Sequence, residues 1–221
     1  MKKLNIITIL FCLILFITAC GPSSSKTDEG STTATSDAET EASIGKQVWT
    51  TKNLDVTKYR NGDAIPQVQD KNAWAKLKTG AWCYFENNTA NGTTYGKLYN
   101  WFAVNDTRGL APKGYHMPTD AEWTILTDNL GEEAGTKMKS TSGWDNNGNG
   151  TNTSGFAGLP GGYRNDDGDF SFIGAGGGWW SSSESNTSYA WYRSLYNASG
   201  DVARYYGVNK QSGFSVRCLR D

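Results

Sequence analysis

Thr119-Asp120-Ala121-Glu122-Trp123-Thr124-Ile125-Leu126-Thr127-Asp128-Asn129-Leu130-Gly131 is the stretch whose reading decides the fold. Thr119, with Glu122 three residues on, predicts a capping box in which hydroxyl and carboxylate each satisfy the other residue's backbone N–H. Trp123, Leu126 and Leu130 then fall at i, i+3 and i+7, one core-facing stripe, and Gly131 suits a C-terminal cap. Toward the N-terminus, Asp70 predicts the cap of a second helix carrying Ala73, Trp74 and Leu77, with Gly80 just beyond it. Between the two, Trp82–Phe85 reads as a strand and Asn91-Gly92 as a turn, while Tyr95–Val104 fits strand or helix. From Gly143 onward strands alternate with Gly-rich loops. Tyr189–Tyr196, Val202–Val208 and Phe214–Leu219 alternate, and polar links over 197–201 and 209–213 join them, which predicts an antiparallel meander. The expected class is α+β: two helices with a small twisted antiparallel sheet and long loops.

Composition bounds what such a chain does. It has 221 residues, a formal charge of −1, 19% charged and 13% aromatic residues, nine Trp and 26 Gly. That balance argues against a coiled coil and against wholesale disorder. It also lacks the basic field on which nucleic-acid binding relies, so no nucleic-acid partner is expected. One His and four Cys leave little material for zinc or histidine chemistry.

The first 45 residues read as address and tether. Lys2 and Lys3 precede an apolar run over Leu4–Ile17, too short to span a bilayer and fitting a signal peptide. Ile17-Thr18-Ala19-Cys20 resembles a bacterial lipobox, which implies cleavage after Ala19 and lipidation of Cys20. Three acyl chains suffice for stable anchoring. Without Lys2 and Lys3, 19 basic residues face 22 acidic ones, a mature charge of −3. Residues 21–45 are rich in Ser, Thr, Ala, Asp and Glu without an aromatic residue, and read as a disordered stalk holding residues 46–221 roughly 25–30 Å from the membrane. The expected location is the cell envelope, on the outer membrane, with the membrane itself as a partner.

Five stretches carry a family resemblance. Gly114-Tyr115-His116-Met117-Pro118-Thr119-Asp120-Ala121-Glu122-Trp123 and Tyr95-Gly96-Lys97-Leu98-Tyr99-Asn100-Trp101 resemble signatures of the Fibrobacter succinogenes major paralogous domain. Gly155–Arg164, Trp179-Trp180-Ser181-Ser182 and Gly213–Cys218 complete the pattern, which covers Val48–Asp221. The family occurs largely in secreted proteins and lipoproteins and implies no general activity. The Pro118–Trp123 segment and the closing Gly-Phe…Arg-Cys are also distantly similar to formylglycine-generating enzymes, which implies a C-type-lectin-like fold. That family uses a closely spaced Cys pair near the C-terminus to bind copper. Here that stretch holds only Cys218, so a copper-dependent oxidase would have to recruit Cys83.

The remaining candidate chemistry is thin. With Cys12 in the signal peptide and Cys20 lipidated, Cys83 and Cys218 read either as a disulfide, in keeping with an oxidising compartment, or as two buried thiols. His116 reads as a packed ring hydrogen-bonded to backbone, and Asp166-Asp167 as a hairpin tip. Asp145, Asn147 and Asn149 with Gly150 begin like a calcium loop, but Phe156 stands where the bidentate Glu belongs. Calcium is the one cofactor this allows; none is otherwise expected, and no catalytic residue stands out. Trp179–Asn209 is crowded with Trp, Tyr, Ser, Asn and Gly, the residue set of adaptable binding surfaces. Trp179, Tyr189, Tyr192, Tyr196, Tyr205 and Asn209 are therefore candidate ligand contacts. The leading expectation is a non-catalytic surface recognition module for a glycan or protein; the alternatives are the copper oxidase and a structural coat protein.

Overall fold

Alternating side chains build twelve strands among the described residues, and a computed structural model describes residues 40–221. The expected signal peptide, Cys20 and most of the expected stalk lie outside them. The strands are β1 (Glu41–Ile44), β2 (Gln47–Thr50), β3 (Trp82–Cys83), β4 (Leu98–Asn100), β5 (Tyr115–His116) and β6 (Gly161–Arg164). They continue with β7 (Phe170–Ile173), β8 (Gly176–Glu184), β9 (Tyr189–Tyr196), β10 (Ala203–Asn209), β11 (Gly213–Phe214) and β12 (Leu219–Arg220). The helices are α1 (Lys71–Trp74), α2 (Thr89–Tyr95), α3 (Trp101–Val104), α4 (Asp120–Leu130) and α5 (Ala134–Met138). One four-stranded sheet runs β1-β2-β12-β5; an eight-stranded sheet runs β10-β9-β8-β6-β11-β4-β3, with β7 on β6. Only the β6–β8 contact among these strand pairs is parallel.

This corrects the expected class. The architecture is two sheets with short helices, not a C-type-lectin-like α+β core of two helices and one small sheet. The helix expected after Asp70 lasts one turn: Asp70 Oδ1 accepts from Ala73 N at 2.7 Å, but the chain then bends, leaving Leu77 outside. Glycine-rich segments expected to be loops are long strands. β8, from Gly176 to Glu184, is buried over its first six residues, because small and aromatic residues let neighbours pack on both faces of a central strand. Asn91-Gly92 is no hairpin turn but the middle of α2. Asn88 caps that helix, and a Cβ at Gly92 would stand 2.2 Å from the Tyr84 ring, so glycine is selected by contact rather than by turn geometry. The domain also starts earlier than residue 46, since β1 pairs with β2.

α4 forms as expected. Thr119 Oγ1 accepts from Glu122 N at 3.2 Å, Glu122 Oε2 accepts from Thr119 N at 2.8 Å, and Trp123 and Leu126 are buried. The C-terminal meander is β8-β9-β10 rather than the three segments expected. Phe214–Leu219 breaks in two: β11 joins the large sheet and β12 the small one. Between them lies Arg217, wholly buried, donating to the carbonyls of Thr50 (2.9 Å), Phe156 (2.6 Å) and Ala157 (3.1 Å) and to Asn53 Oδ1 (2.7 Å). Arg164 acts alike, donating to the carbonyls of Val68, Gln69 and Gly168 while lying over the Trp74 and Phe170 rings. Buried guanidinium groups satisfy loop carbonyls that no sheet reaches, which is how a loop-rich chain avoids orphaned acceptors. Eight of the nine Trp are buried; Trp191 is the exception.

Candidate functional site

One face of the large sheet at β6-β8-β9-β10 passes from the core, at Trp180, Ala190 and Phe214, to solvent, at Phe172 and Tyr205. Alternation puts Ala190, Tyr192, Ser194 and Tyr196 on that face of β9, Tyr205 of β10 opposite Tyr192, and Trp180, Gly178 and Gly176 of β8 on the other side. With no side chain at Gly178, the Phe214 ring lies over the strand: a Cβ there would be 2.5 Å from it. Phe214 seeds a run of aromatic contacts. Tyr192 stacks on it (4.5 Å between centroids, 21° between planes) and Tyr205 stacks on Tyr192 (5.2 Å, 25°). On the other side Tyr163 packs on Phe214 (5.2 Å), Phe172 stacks on Tyr163 (5.3 Å, 17°), and Tyr196 meets the Phe172 edge (5.9 Å). Tyr205 and Tyr196 stand at the two ends of this run of six rings.

Phe214 is buried, Tyr163, Tyr192 and Tyr196 are half-buried, and Phe172 and Tyr205 are 49% and 41% exposed. Burial pushes the Tyr163, Tyr192 and Tyr196 phenols above the usual range, Tyr196 to about 12, with neighbouring tyrosines adding to the effect. All three are neutral, able both to donate and to accept. A concavity of about 350 Å³ opens beside Tyr192, Tyr205, Tyr206, Gly207 and Val208, none of them charged. Its size is that of small-molecule sites.

Of the six expected ligand contacts, the structure brings Tyr192, Tyr196 and Tyr205 together. Trp179 is a correction: it is 1% exposed, in the core on the opposite face of β8, with Nε1 donating to Asn53 Oδ1 at 2.9 Å. Tyr189 is exposed but on the other face of β9. Asn209 donates to Asp166 and borders a different concavity, of about 310 Å³, with Lys78 and Phe102. The sequence reading missed Tyr163 and Phe172. The sequence signal there was the Asn165–Asp169 turn, with Asp166 and Asp167 at the tip of the β6–β7 hairpin, but alternation puts Tyr163, opposite Ser171, on the other face from Phe172, which meets Tyr163 only through its φ of 69°.

The sequence profile of the Fibrobacter succinogenes major domain matches residues 42–220, from β1 to β12 and so across both sheets and the six-ring face. The chain belongs to that family. No curated protein matches it. The Fibrobacter succinogenes major domain here thus owns every group just described.

Elsewhere in this domain the expected chemistry takes structural form. Cys83 lies on β3 and Cys218 just before β12, in different core clusters, and no disulfide joins them. Burial pushes the Cys83 thiol up to about 12. The geometry therefore does not assemble the two sulfurs into one copper site. His116 contacts carboxylates, not backbone: Nε2 lies 3.0 Å from Glu122 Oε1 and Nδ1 2.9 Å from Asp221 Oδ1. With both ring nitrogens engaged, it is an ionic clamp between β5, α4 and residue 221. Asp145, Asn147 and Asn149 form an exposed turn: Asn146 and Asn147 have φ of 53° and 59°, and Asn149 Oδ1 accepts from Trp144 N. Among the described residues no three His, Cys, Asp or Glu gather as a metal-binding group, and no helix is long and apolar enough to cross a membrane.

Proposed function

We propose that this Fibrobacter succinogenes major domain is a non-catalytic recognition module of the cell envelope. It binds a glycan or protein on the face formed by Tyr163, Phe172, Tyr192, Tyr196 and Tyr205, and is tethered through lipidated Cys20. The observation that carries this reading is the continuous run of six aromatic rings, whose Phe172 and Tyr205 members are open to solvent. Exposed contiguous aromatic surface costs solubility unless a partner covers it, and Tyr offers contact area and hydrogen bonds at low entropic cost. The lipobox-like segment at Ile17–Cys20 supports the tether. No catalytic group is assigned in this reading, since His116 and the two thiols are committed to the interior and to ion pairs.

Residues 40–221, produced without the N-terminal segment, should capture a ligand on a combined glycan and protein array. Tyr192→Ala and Tyr205→Ala should abolish capture without changing the circular dichroism spectrum. Capture that both variants retain would overturn the assigned face. For the tether, cells expressing the full chain should incorporate an alkynyl fatty acid into it, and Cys20→Ser should not. An unlabelled wild type would refute the anchor.

A further inference from the structure

Resting on the recognition reading above, three observations narrow the ligand class. First, no charged residue lines the concavity beside Tyr192, Tyr205, Tyr206, Gly207 and Val208. Charged groups of the same strands lie on the opposite side, where Arg193 and Arg204 both pair with Asp120. A strongly charged ligand would lose its hydration here without finding a counter-charge.

Second, every side-chain polar group of the face is a hydroxyl. Ser194 is fully buried beneath the rings, and Tyr205 stands half-exposed on edge strand β10, where a register shift between Tyr205 and Val208 disrupts pairing with β9.

Third, Phe172 is held at φ 69°. A bulky aromatic residue rarely adopts the left-handed region, and such strain persists where the surrounding structure enforces it. Here the result is a half-exposed ring, stacked on Tyr163 within the aromatic run rather than sunk in the core. Gly162, at φ 63° on the paired strand, leaves the room: a Cβ there would collide with Ser171 O at 2.6 Å.

We propose that this face is a saccharide site for neutral pyranose units. Phe172 and Tyr205 are the exposed platforms against the C–H face of a sugar ring, and the phenols receive its hydroxyls. A sugar hydroxyl both donates and accepts, which matches an all-hydroxyl lining. A proline-rich peptide, the other common partner of tyrosine surfaces, offers acceptors only and leaves half of that capacity unused.

The test is calorimetric titration of residues 40–221 with neutral hexasaccharides of glucan, mannan, xylan and chitin type, beside a heparin hexasaccharide and decaproline. At least one neutral hexasaccharide should bind and heparin should not. Phe172→Ala and Tyr205→Ala should each weaken binding about tenfold, and Tyr205→Phe less than Tyr205→Ala. Trp191→Ala, on the opposite face of β9, should leave affinity unchanged. Should Phe172→Ala fail to fold, the Tyr205 pair carries the same comparison. Binding of decaproline or of an array protein at these residues, with no neutral sugar bound, overturns the saccharide class while sparing the recognition reading. Sugar binding indifferent to all the variants overturns the face in both. No binding by any probe at millimolar concentration overturns the saccharide proposal.

Discussion

At the scale of single residues, charge is the most instructive case. Burial works against protonation of His116, but the Asp221 and Glu122 carboxylates outweigh it and raise its pKa above 6.5. Glu122 is likewise held below its usual range: burial opposes, and the Thr119 bonds and His116 prevail. A group whose folded pKa is raised stabilises fully below its unfolded pKa and loses that contribution as pH rises through the folded one. Glu122 does the reverse, losing its contribution as pH falls below its lowered value. The clamp should therefore matter most at about pH 5–6.5. His116→Gln should cost about 1 kcal/mol there, a value limited by solvent screening of a 38% exposed ring, and less at pH 8.5. Urea melts of both proteins at pH 5.5 and 8.5 check this; an equal cost at both would contradict it. The thiols give a second test. Native residues 40–221 should not react with Ellman's reagent at pH 8, and unfolding without reductant should release two equivalents. Zero equivalents would mean a disulfide. The sequence could not decide this, because pairing depends on which clusters the two strands enter. Nor could it show His116 reaching Asp221, 105 residues away.

At the scale of elements, local rules succeeded where the signal was local. The capping box of α4, the span of β9 and the tip of the β6–β7 hairpin were legible because neighbouring residues alone specify them. The α1 and Asn91-Gly92 readings failed because distant contacts override propensity: Tyr84 claims the space over Gly92. The two-helix expectation failed for the same reason at larger scale, since Gly-rich segments read as loops when seen alone. They are strands because the rings of other elements occupy the room their missing side chains leave. Gly178 shows this most directly. Its replacement by Ala puts a Cβ against the buried Phe214 ring, which Trp180 and Tyr192 hold from two other sides. Gly178→Ala should lower stability by about 1–3 kcal/mol and loosen the aromatic run built on Phe214, seen as a lower urea midpoint. An unchanged midpoint would show that Phe214 moves freely.

At the scale of the whole molecule, the aromatic excess divides by residue type. Trp builds the interior, and Tyr with Phe172 builds one face. Half of that face was legible, because Tyr192, Tyr196 and Tyr205 lie in one biased stretch. Tyr163 and Phe172 were not, since only the parallel β6–β8 contact brings their hairpin alongside β9 and β10. Charged groups of the chain are spent on clamps such as those of Asp120 and Arg217. The central claim is that these rings form a ligand-binding surface. The most direct measurement follows the aromatic ¹³C resonances of Phe and Tyr in residues 40–221 during titration with the neutral hexasaccharides. The account predicts shifts at Phe172, Tyr192, Tyr196 and Tyr205 that saturate together, with Tyr189 and Phe102 unmoved. Shifts confined to Tyr189 or Phe102, or none at any sugar concentration, would contradict it.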